Sequence, residues 1–216
     1  MSHPVPKGRV WKFGDDVCGD DGIIDFSIVR EGFGKEFDED ALRAMCFRRL
    51  REEFPEQVRK GDIVVAGRNF AHHNHVEVSV AIRASGIAAV VVESCEATFV
   101  RRALNTGLPI MTCPGIAEAV QDGEVISADP ATGEVTLASG RVLRAKPFSE
   151  RMVQIWLAGG AIPLLEREFA ARRAASAGGG NDDDHAPQRA AVHGWPGACR
   201  PGARASSASH RRSARR

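Results

Sequence analysis

Between positions 71 and 75 the chain reads Ala-His-His-Asn-His, which places three imidazoles, His72, His73 and His75, within four positions. Imidazole ordinarily titrates near neutral pH, so His75 or His73 could serve as a general base. The three rings could instead gather a metal ion, yet His-His-x-His on a loop lacks the i, i+4 spacing of a helical zinc pair. They could also be solvated side chains without a task. A second polar cluster, Gly14-Asp-Asp-Val-Cys-Gly-Asp-Asp-Gly22, carries Asp20 and Asp21 and by itself reads as a solvated acidic turn. The thiols suggest no joint site. Cys18, Cys46, Cys95, Cys113 and Cys199 are odd in number and scattered, with no C-x-x-C pair. That pattern predicts reduced thiols in a cytoplasm rather than a disulfide framework or a zinc site. Nor should this chain alone hold an iron–sulfur cluster, which needs closely spaced thiolates. Cys95 and Cys113 sit beside apolar stretches and read as buried fillers, not nucleophiles.

A strand and a helix frame the histidine loop. Residues 62–66 (Asp-Ile-Val-Val-Ala) read as a short buried strand, and residues 76–85 as a helix stopped by Gly86. A loop in that setting faces helix N-terminal N–H groups, which favour an anion. An all-apolar strand at 88–92, a helix over 96–105 ending at Gly107 and a third strand at 109–111 follow. Strand–helix–strand–helix–strand with short apolar strands predicts a parallel sheet covered by helices. Right-handed crossovers put both helices on one face if the strands are added in one direction. Upstream, residues 8–13 read as a first strand. Residues 38–54 read as a helix with Leu42, Met45, Cys46, Leu50 and Phe54 on one face and Pro55 at its end. Downstream the period changes to 2. Residues 124–128 and 134–137 flank the turn Asp129-Pro-Ala-Thr-Gly133 as a hairpin, with a further strand at 141–143. Helices over 148–157 and 162–169, broken by Gly159-Gly160, close the pattern.

Composition sets the outer limits. At 216 residues, with 43% hydrophobic and 26% charged side chains, the chain suits one well-cored soluble domain with an appended tail. Residues 170–216 carry nine arginines against three aspartates, a net of +6, which leaves −5 on residues 1–169 of a chain whose net charge is +1. An acidic body argues against a nucleic-acid platform. The tail, rich in Arg, Ala, Gly and Ser with an Asp182-Asp183-Asp184 run, reads as disordered, so the domains are 1–169 and 170–216. Its charge could attract nucleic acid, but it lacks aromatic interleaving beyond Trp195 and reads as an extension without a role. No signal peptide and no apolar run of about 18–20 residues predicts secretion or a membrane span.

Several segments carry a family resemblance in order and spacing: Gly8-Arg-Val-Trp-Lys-Phe-Gly-Asp-Asp-Val17, Gly61-Asp-Ile-Val-Val-Ala-Gly-Arg-Asn-Phe70 and Gly107-Leu-Pro109. Asp122-Gly123, the hairpin 129–135 and Leu157-Ala-Gly-Gly160 complete the set. Over about residues 8–168 the chain resembles the small subunit of 3-isopropylmalate dehydratase and, more distantly, the swivel domain of aconitase and homoaconitase. The resemblance implies an α/β fold: a swivelling β/β/α domain with a central, mostly parallel sheet flanked by helices, plus a C-terminal β-hairpin region. It also implies a separate large aconitase-type subunit as heterodimer partner. That partner would carry a [4Fe–4S] cluster, with no cofactor and no metal in this chain. The pair would dehydrate and rehydrate a small hydroxy-dicarboxylate in the cytoplasm, leucine biosynthesis being the family's usual setting. The small subunit supplies a serine base and an arginine from the loop after the Gly-Arg-Asn-Phe strand.

That loop is where the chain departs. The family reads Gly-Cys-Gly-Ser-Ser-Arg-Glu-His-Ala-Pro where this chain reads Ala71-His-His-Asn-His-Val-Glu-Val-Ser-Val80. The serines fall on Asn74 and His75, the arginine falls on Val76, and only Glu77 is retained. Losing a hydrogen bond to a charged group costs on the order of 1.5–3 kcal/mol. The resemblance thus nominates His75, Asn74 and Asp21 for catalysis. Asp20 or Asp21 lies where the family's Asn-Thr-Asp supports the serine. Arg30, near the family's specificity loop, Arg68 in Gly-Arg-Asn-Phe, and His73 are nominated for substrate. Solvent-facing or structural roles remain open for Arg30 and Arg68. A non-catalytic homologue, acting as a regulatory or assembly subunit on the same fold, is the alternative.

Overall fold

A computed structural model describes residues 3–31 and 38–178. Sixteen elements follow one another among the described residues. Strand β1 (Lys7–Lys12) leads into a π-helical turn (Gly19–Ile23) and the helices α1 (Phe26–Glu31), α2 (Glu39–Met45) and α3 (Phe54–Gln57). Then come β2 (Ile63–Ala66), α4 (Val76–Ala84), β3 (Ala89–Val92), α5 (Ala97–Asn105), β4 (Ile110–Thr112) and α6 (Ile116–Ala119). Strands β5 (Val125–Ala128), β6 (Glu134–Thr136) and β7 (Val142–Arg144) precede α7 (Glu150–Ala158) and α8 (Ala161–Gly178).

The strands form one seven-stranded sheet in the order β4-β3-β2-β1-β5-β6-β7. Strands β1 to β4 pair parallel, and β5 joins β1 antiparallel before the β6 and β7 meander. The apolar strands at 62–66, 88–92 and 109–111 therefore do build a parallel sheet, and the period-2 segments extend it antiparallel.

Side chains alternate across the pleat and create two cores. On one face Trp11, Val64, Ala66, Val90 and Val92 pack with Leu42 of α2, Val78, Ala81 and Ile82 of α4, and Phe99 and Ala103 of α5. On the other, Val10, Ile63, Val65, Val91 and Met111 pack with Ile116 and Val120 and with Val135 and Leu137 of the hairpin. Both crossover helices thus lie on the same face, as right-handed connections require.

The helix read over 38–54 is interrupted. Asp38 caps α2 by accepting from the Ala41 N–H at 3.0 Å, but the helix ends at Met45. Phe47 takes a left-handed backbone (φ 52°), and its N–H donates to the Ile23 carbonyl at 2.7 Å. Its ring is completely buried, stacked on Phe13 at 4.3 Å and next to Phe54 at 4.9 Å. Continuing the helix would have carried the ring away from this cluster, so tertiary packing overrides the 3.6-residue period. Leu50, expected on the buried face, is 46% exposed. Pro55 does not end a helix. It lies in the first turn of α3, where its missing N–H has no intrahelical role.

At the C-terminal end, Gly159 and Gly160 both have positive φ and separate α7 from α8. Helix α8 runs on to Gly178, past the boundary read at 169/170. The rest of the tail, with Cys199 and most of its arginines, lies outside the described residues. Among the described residues, no helix is long and apolar enough to cross a membrane.

Candidate active site

Two loops at the C-terminal ends of β1 and β2 lie side by side and define the site. The Asp16 N–H donates to the Arg68 carbonyl at 2.8 Å, and the Ala71 N–H to the Val17 carbonyl at 2.8 Å. Farther along, the Gly19 N–H donates to the His72 carbonyl at 2.8 Å and the Asp20 N–H to the His73 carbonyl at 2.9 Å. At this close approach a Cβ on Gly19 would lie 2.9 Å from the Asn74 Cβ, so only glycine fits. The contacts continue into the π-helical turn, a local distortion common at functional sites.

The histidine loop keeps a glycine-like backbone without glycines. Asn69, Ala71 and His73 all have positive φ (56°, 56° and 47°). Each such residue costs roughly 1–2 kcal/mol against a right-handed alternative. The cross-loop hydrogen bonds hold the shape, and Ala71, completely buried, has no room to relax.

His75 ends the loop as the N-cap residue of α4. Its side chain makes no capping hydrogen bond and instead turns to Asp20, with Nδ1 2.8 Å from Oδ2. The ring stacks on Phe26 of α1 at 3.9 Å between centroids and 7° between planes. Aromatic stacking fixes the plane and the carboxylate fixes the tautomer. With Nδ1–H donating to Asp20, Nε2 keeps a lone pair. The imidazole is 44% exposed and the carboxylate 19%. Asp20 Oδ1 is buried without a hydrogen-bond partner, the one such side-chain atom found among the described residues.

The other nominated residues fall in different places. Asp20, not Asp21, faces His75. Asp21 is exposed and paired with Arg49, whose other arm holds Asp25 at 2.6 Å. Asn74, nominated for catalysis, is 7% exposed, and its polar atoms are used inside the protein. Its amide donates to the Ala71 carbonyl at 2.9 Å and to Glu96 Oε2 at 2.7 Å, while its side-chain oxygen accepts from Arg102. Asn74 braces the loop against α5 and does not reach the open face.

Arg68, nominated for substrate, is exposed but engaged by Asp15. Nε and Nη2 donate to Asp15 Oδ2 at 3.1 and 2.8 Å, and the Arg68 backbone N–H donates to Asp15 Oδ1 at 2.7 Å. These bonds hold the Asp15 carboxyl below the usual carboxylate range, with the backbone donor contributing most. The guanidinium is a clamp between the two loops. Arg30 is exposed in the last turn of α1, one turn from Phe26 on the same helix face. His73 is exposed and lies beside His72, their rings 5.1 Å apart.

Phe26 escaped the sequence reading, and Asp20 entered it only beside Asp21. Phe26 and Asp20 lie far along the chain from His75, and only the pairing of the two loops brings all three together. Cys18, read only as a scattered thiol, forms a parallel bridge with His72 and joins His72 and His73 in a cluster of potential ligand atoms. That cluster contains a single thiol. The other described thiols are held toward their protonated form. Burial pushes Cys46 up to about 12. Burial and the neighbouring Glu96 charge push Cys95 up to about 12, and burial and Glu93 push Cys113 up to about 11.

No protein-family model matches the chain. Individual proteins do. The chain is 39% identical over 166 residues to 3-isopropylmalate dehydratase small subunit 1 of Methanopyrus kandleri, an alignment covering 76% of this chain and 94% of that protein. It is 34% identical over 168 residues to the isopropylmalate/citramalate isomerase small subunit of Methanocaldococcus jannaschii (77% and 96% covered). It is 37% identical over 160 residues to the methanogen homoaconitase small subunit of Methanothermobacter thermautotrophicus (73% and 89% covered). The crystal structure of 3-isopropylmalate dehydratase from Methanocaldococcus jannaschii superposes with a TM-score of 0.71 at 28% identity, covering 80% of this chain and 99% of that one. With its sequence and its fold matched over most of the chain, it belongs to the family of 3-isopropylmalate dehydratase small subunits.

Proposed function

We propose that this chain is the small subunit of a cytoplasmic hydro-lyase that dehydrates a small hydroxy-dicarboxylate and rehydrates it at the neighbouring carbon, with His75 as the general base. The observation that carries the reading is the His75–Asp20 pair at 2.8 Å, standing where the family places its serine. The relatives' names, all small subunits, support a large-subunit partner. We assign a [4Fe–4S] cluster to that partner, where it would supply Lewis-acid chemistry toward the substrate hydroxyl and carboxylate.

This chain's own part is proton transfer and anion binding. His75 Nε2 takes the proton from the carbon beside the departing hydroxyl and returns it on rehydration, while Asp20 stabilises the imidazolium formed in between. The N-terminus of α4, without a side-chain cap, points its dipole at the loop and attracts a substrate carboxylate. Arg30, one turn from Phe26, is the cation placed to meet a second carboxylate.

The test is co-expression with the large subunit under anaerobic conditions, followed by assay of citraconate and isopropylmaleate hydration. The wild-type pair should be active, and His75→Ala should lose roughly 10²- to 10⁴-fold in kcat. Inactivity of the wild-type pair on every such diacid, or a His75→Ala pair at full rate, would overturn the reading.

A further inference from the structure

We propose that Cys18, His72 and His73 bind a divalent transition ion of the zinc or cobalt type, with one coordination position left open. Cys18 Sγ and one ring nitrogen from each histidine lie within 4.8 Å of one another. A tetrahedral ion bound at about 2.3 Å by thiolate and about 2.0–2.1 Å by imidazole holds its ligand atoms roughly 3.4–3.6 Å apart. The three donors therefore need to close by only about 1 Å, within reach of side-chain rotation.

Three further observations point to a built site. First, the backbone under the donors is fixed before any ion arrives. Cys18 and His72 form a parallel bridge, and the Gly19 and Asp20 N–H groups donate to the His72 and His73 carbonyls at 2.8 and 2.9 Å. Second, His72 Nδ1 lies 3.3 Å from the Asn69 carbonyl oxygen. Donating Nδ1–H to a backbone carbonyl leaves Nε2 as the ligand, the usual second contact of a metal-bound histidine. Third, His73 holds a left-handed backbone, at a cost glycine would avoid, that sets its ring edge-on to His72 with centroids 5.1 Å apart.

The site is distinct from the proposed base. His75 is turned to Asp20 and Phe26, so the metal reading of the three histidines alone does not hold, and Cys18 takes the third place. A mixed nitrogen and sulfur donor set suits zinc or cobalt rather than magnesium or calcium. Cys18 binds as thiolate and gives its proton to solvent, and the open position takes a water or carboxylate oxygen. Cys18 and His72 are half-buried and His73 is exposed, which leaves an entry path.

The reduced full-length chain is titrated anaerobically with Co²⁺, and the near-ultraviolet thiolate-to-cobalt charge-transfer band is read. One equivalent should generate the band, and Zn²⁺ should displace the cobalt. Cys18→Ser should abolish the band, and Cys199→Ser should keep it. Outer-shell changes cost roughly 10- to 100-fold in metal affinity, so His72→Ala and His73→Gln should each weaken binding by at least about 100-fold. Circular dichroism matching wild type shows that the variants are folded, and His73, exposed on the loop, is the safest of them. Absence of the band in wild type, or its survival in Cys18→Ser, overturns the proposal. Neither result depends on activity, so the metal site and the hydro-lyase reading fail separately.

Discussion

Replacing Asp20 with asparagine isolates the contribution of one charge to the proposed base. The side chain keeps its size, and the Asp20 N–H bond to the His73 carbonyl is a backbone contact that survives. What changes is the 2.8 Å contact with His75 Nδ1. A hydrogen bond to a charged group contributes about 1.5–3 kcal/mol, and a neutral one about 0.5–1.5. The imidazolium should therefore lose about 1–1.5 kcal/mol of stabilisation, or roughly tenfold in rate. Partial exposure of the ring trims this figure, while an amide that offers its NH₂ to Nδ1 and reverses the tautomer enlarges it toward 100-fold. The assay is steady-state hydration of citraconate by the reconstituted pair. kcat should fall by about 10- to 100-fold with KM nearly unchanged, because the imidazolium exists only beyond the ground state. In a His75→Ala background the same substitution should cost almost nothing, since its target has gone. A full-rate Asp20→Asn enzyme beside an inactive His75→Ala enzyme would show that Asp20 does not orient the base. Equal losses for Asp20→Asn in both backgrounds would mean a structural role.

Two stability measurements follow from the core. Phe47→Ala removes a completely buried ring and should cost about 3–5 kcal/mol, lowering Tm by roughly 10 °C; a loss below about 1 kcal/mol would contradict the break assigned to α2. The buried thiols predict alkaline weakness. The fold holds Cys46 neutral up to about 12 against an ordinary 9.0, so the stability it contributes is complete below pH 9 and is lost as pH rises from 9 toward 12. At pH 10 this thiol alone should cost on the order of 1 kcal/mol in a urea titration, and Cys46→Ala should flatten that dependence; an unchanged slope would refute it. In the same pH range, iodoacetamide should modify Cys46 only at the unfolding rate.

The sheet was legible because its strands are short and apolar and its helices carry the 3.6-residue period. That signal is local, and β2, α4, β3 and α5 lie within a residue or two of where it places them. The broken helix after Met45 was not legible. Leu42, Met45, Cys46, Leu50 and Phe54 satisfy the helical period, and only the pocket formed by Phe13, Phe54 and Phe70 draws Phe47 out of it. The site divides in the same way. His75 was identifiable from residue type and loop position. Choosing between Asp20 and Asp21 needed the register of the Gly19–Ile23 turn, which one extra helical residue sets. Asn74 was nominated because a serine of the resembling family falls on it, and Arg68 because it belongs to the Gly-Arg-Asn-Phe stretch. Their partners lie on other elements: Glu96 and Arg102 turn Asn74 inward, and Asp15 ties up the exposed Arg68 guanidinium.

The left-handed backbone at Ala71 and His73 has a consequence for how such a loop can diverge. Its shape is stored in the neighbouring segment 16–20, whose amides hold it, and not in its own residues. Apart from the buried Ala71 and the bracing Asn74, side chains on the loop are thus free to be exchanged while the frame keeps its form. A chain can shed Ser-Ser-Arg, acquire imidazoles in their place and still present the new groups at the address of the old ones. Substitutions in segment 16–20, which touches no substrate in this reading, should then disturb the loop more than many within the loop itself.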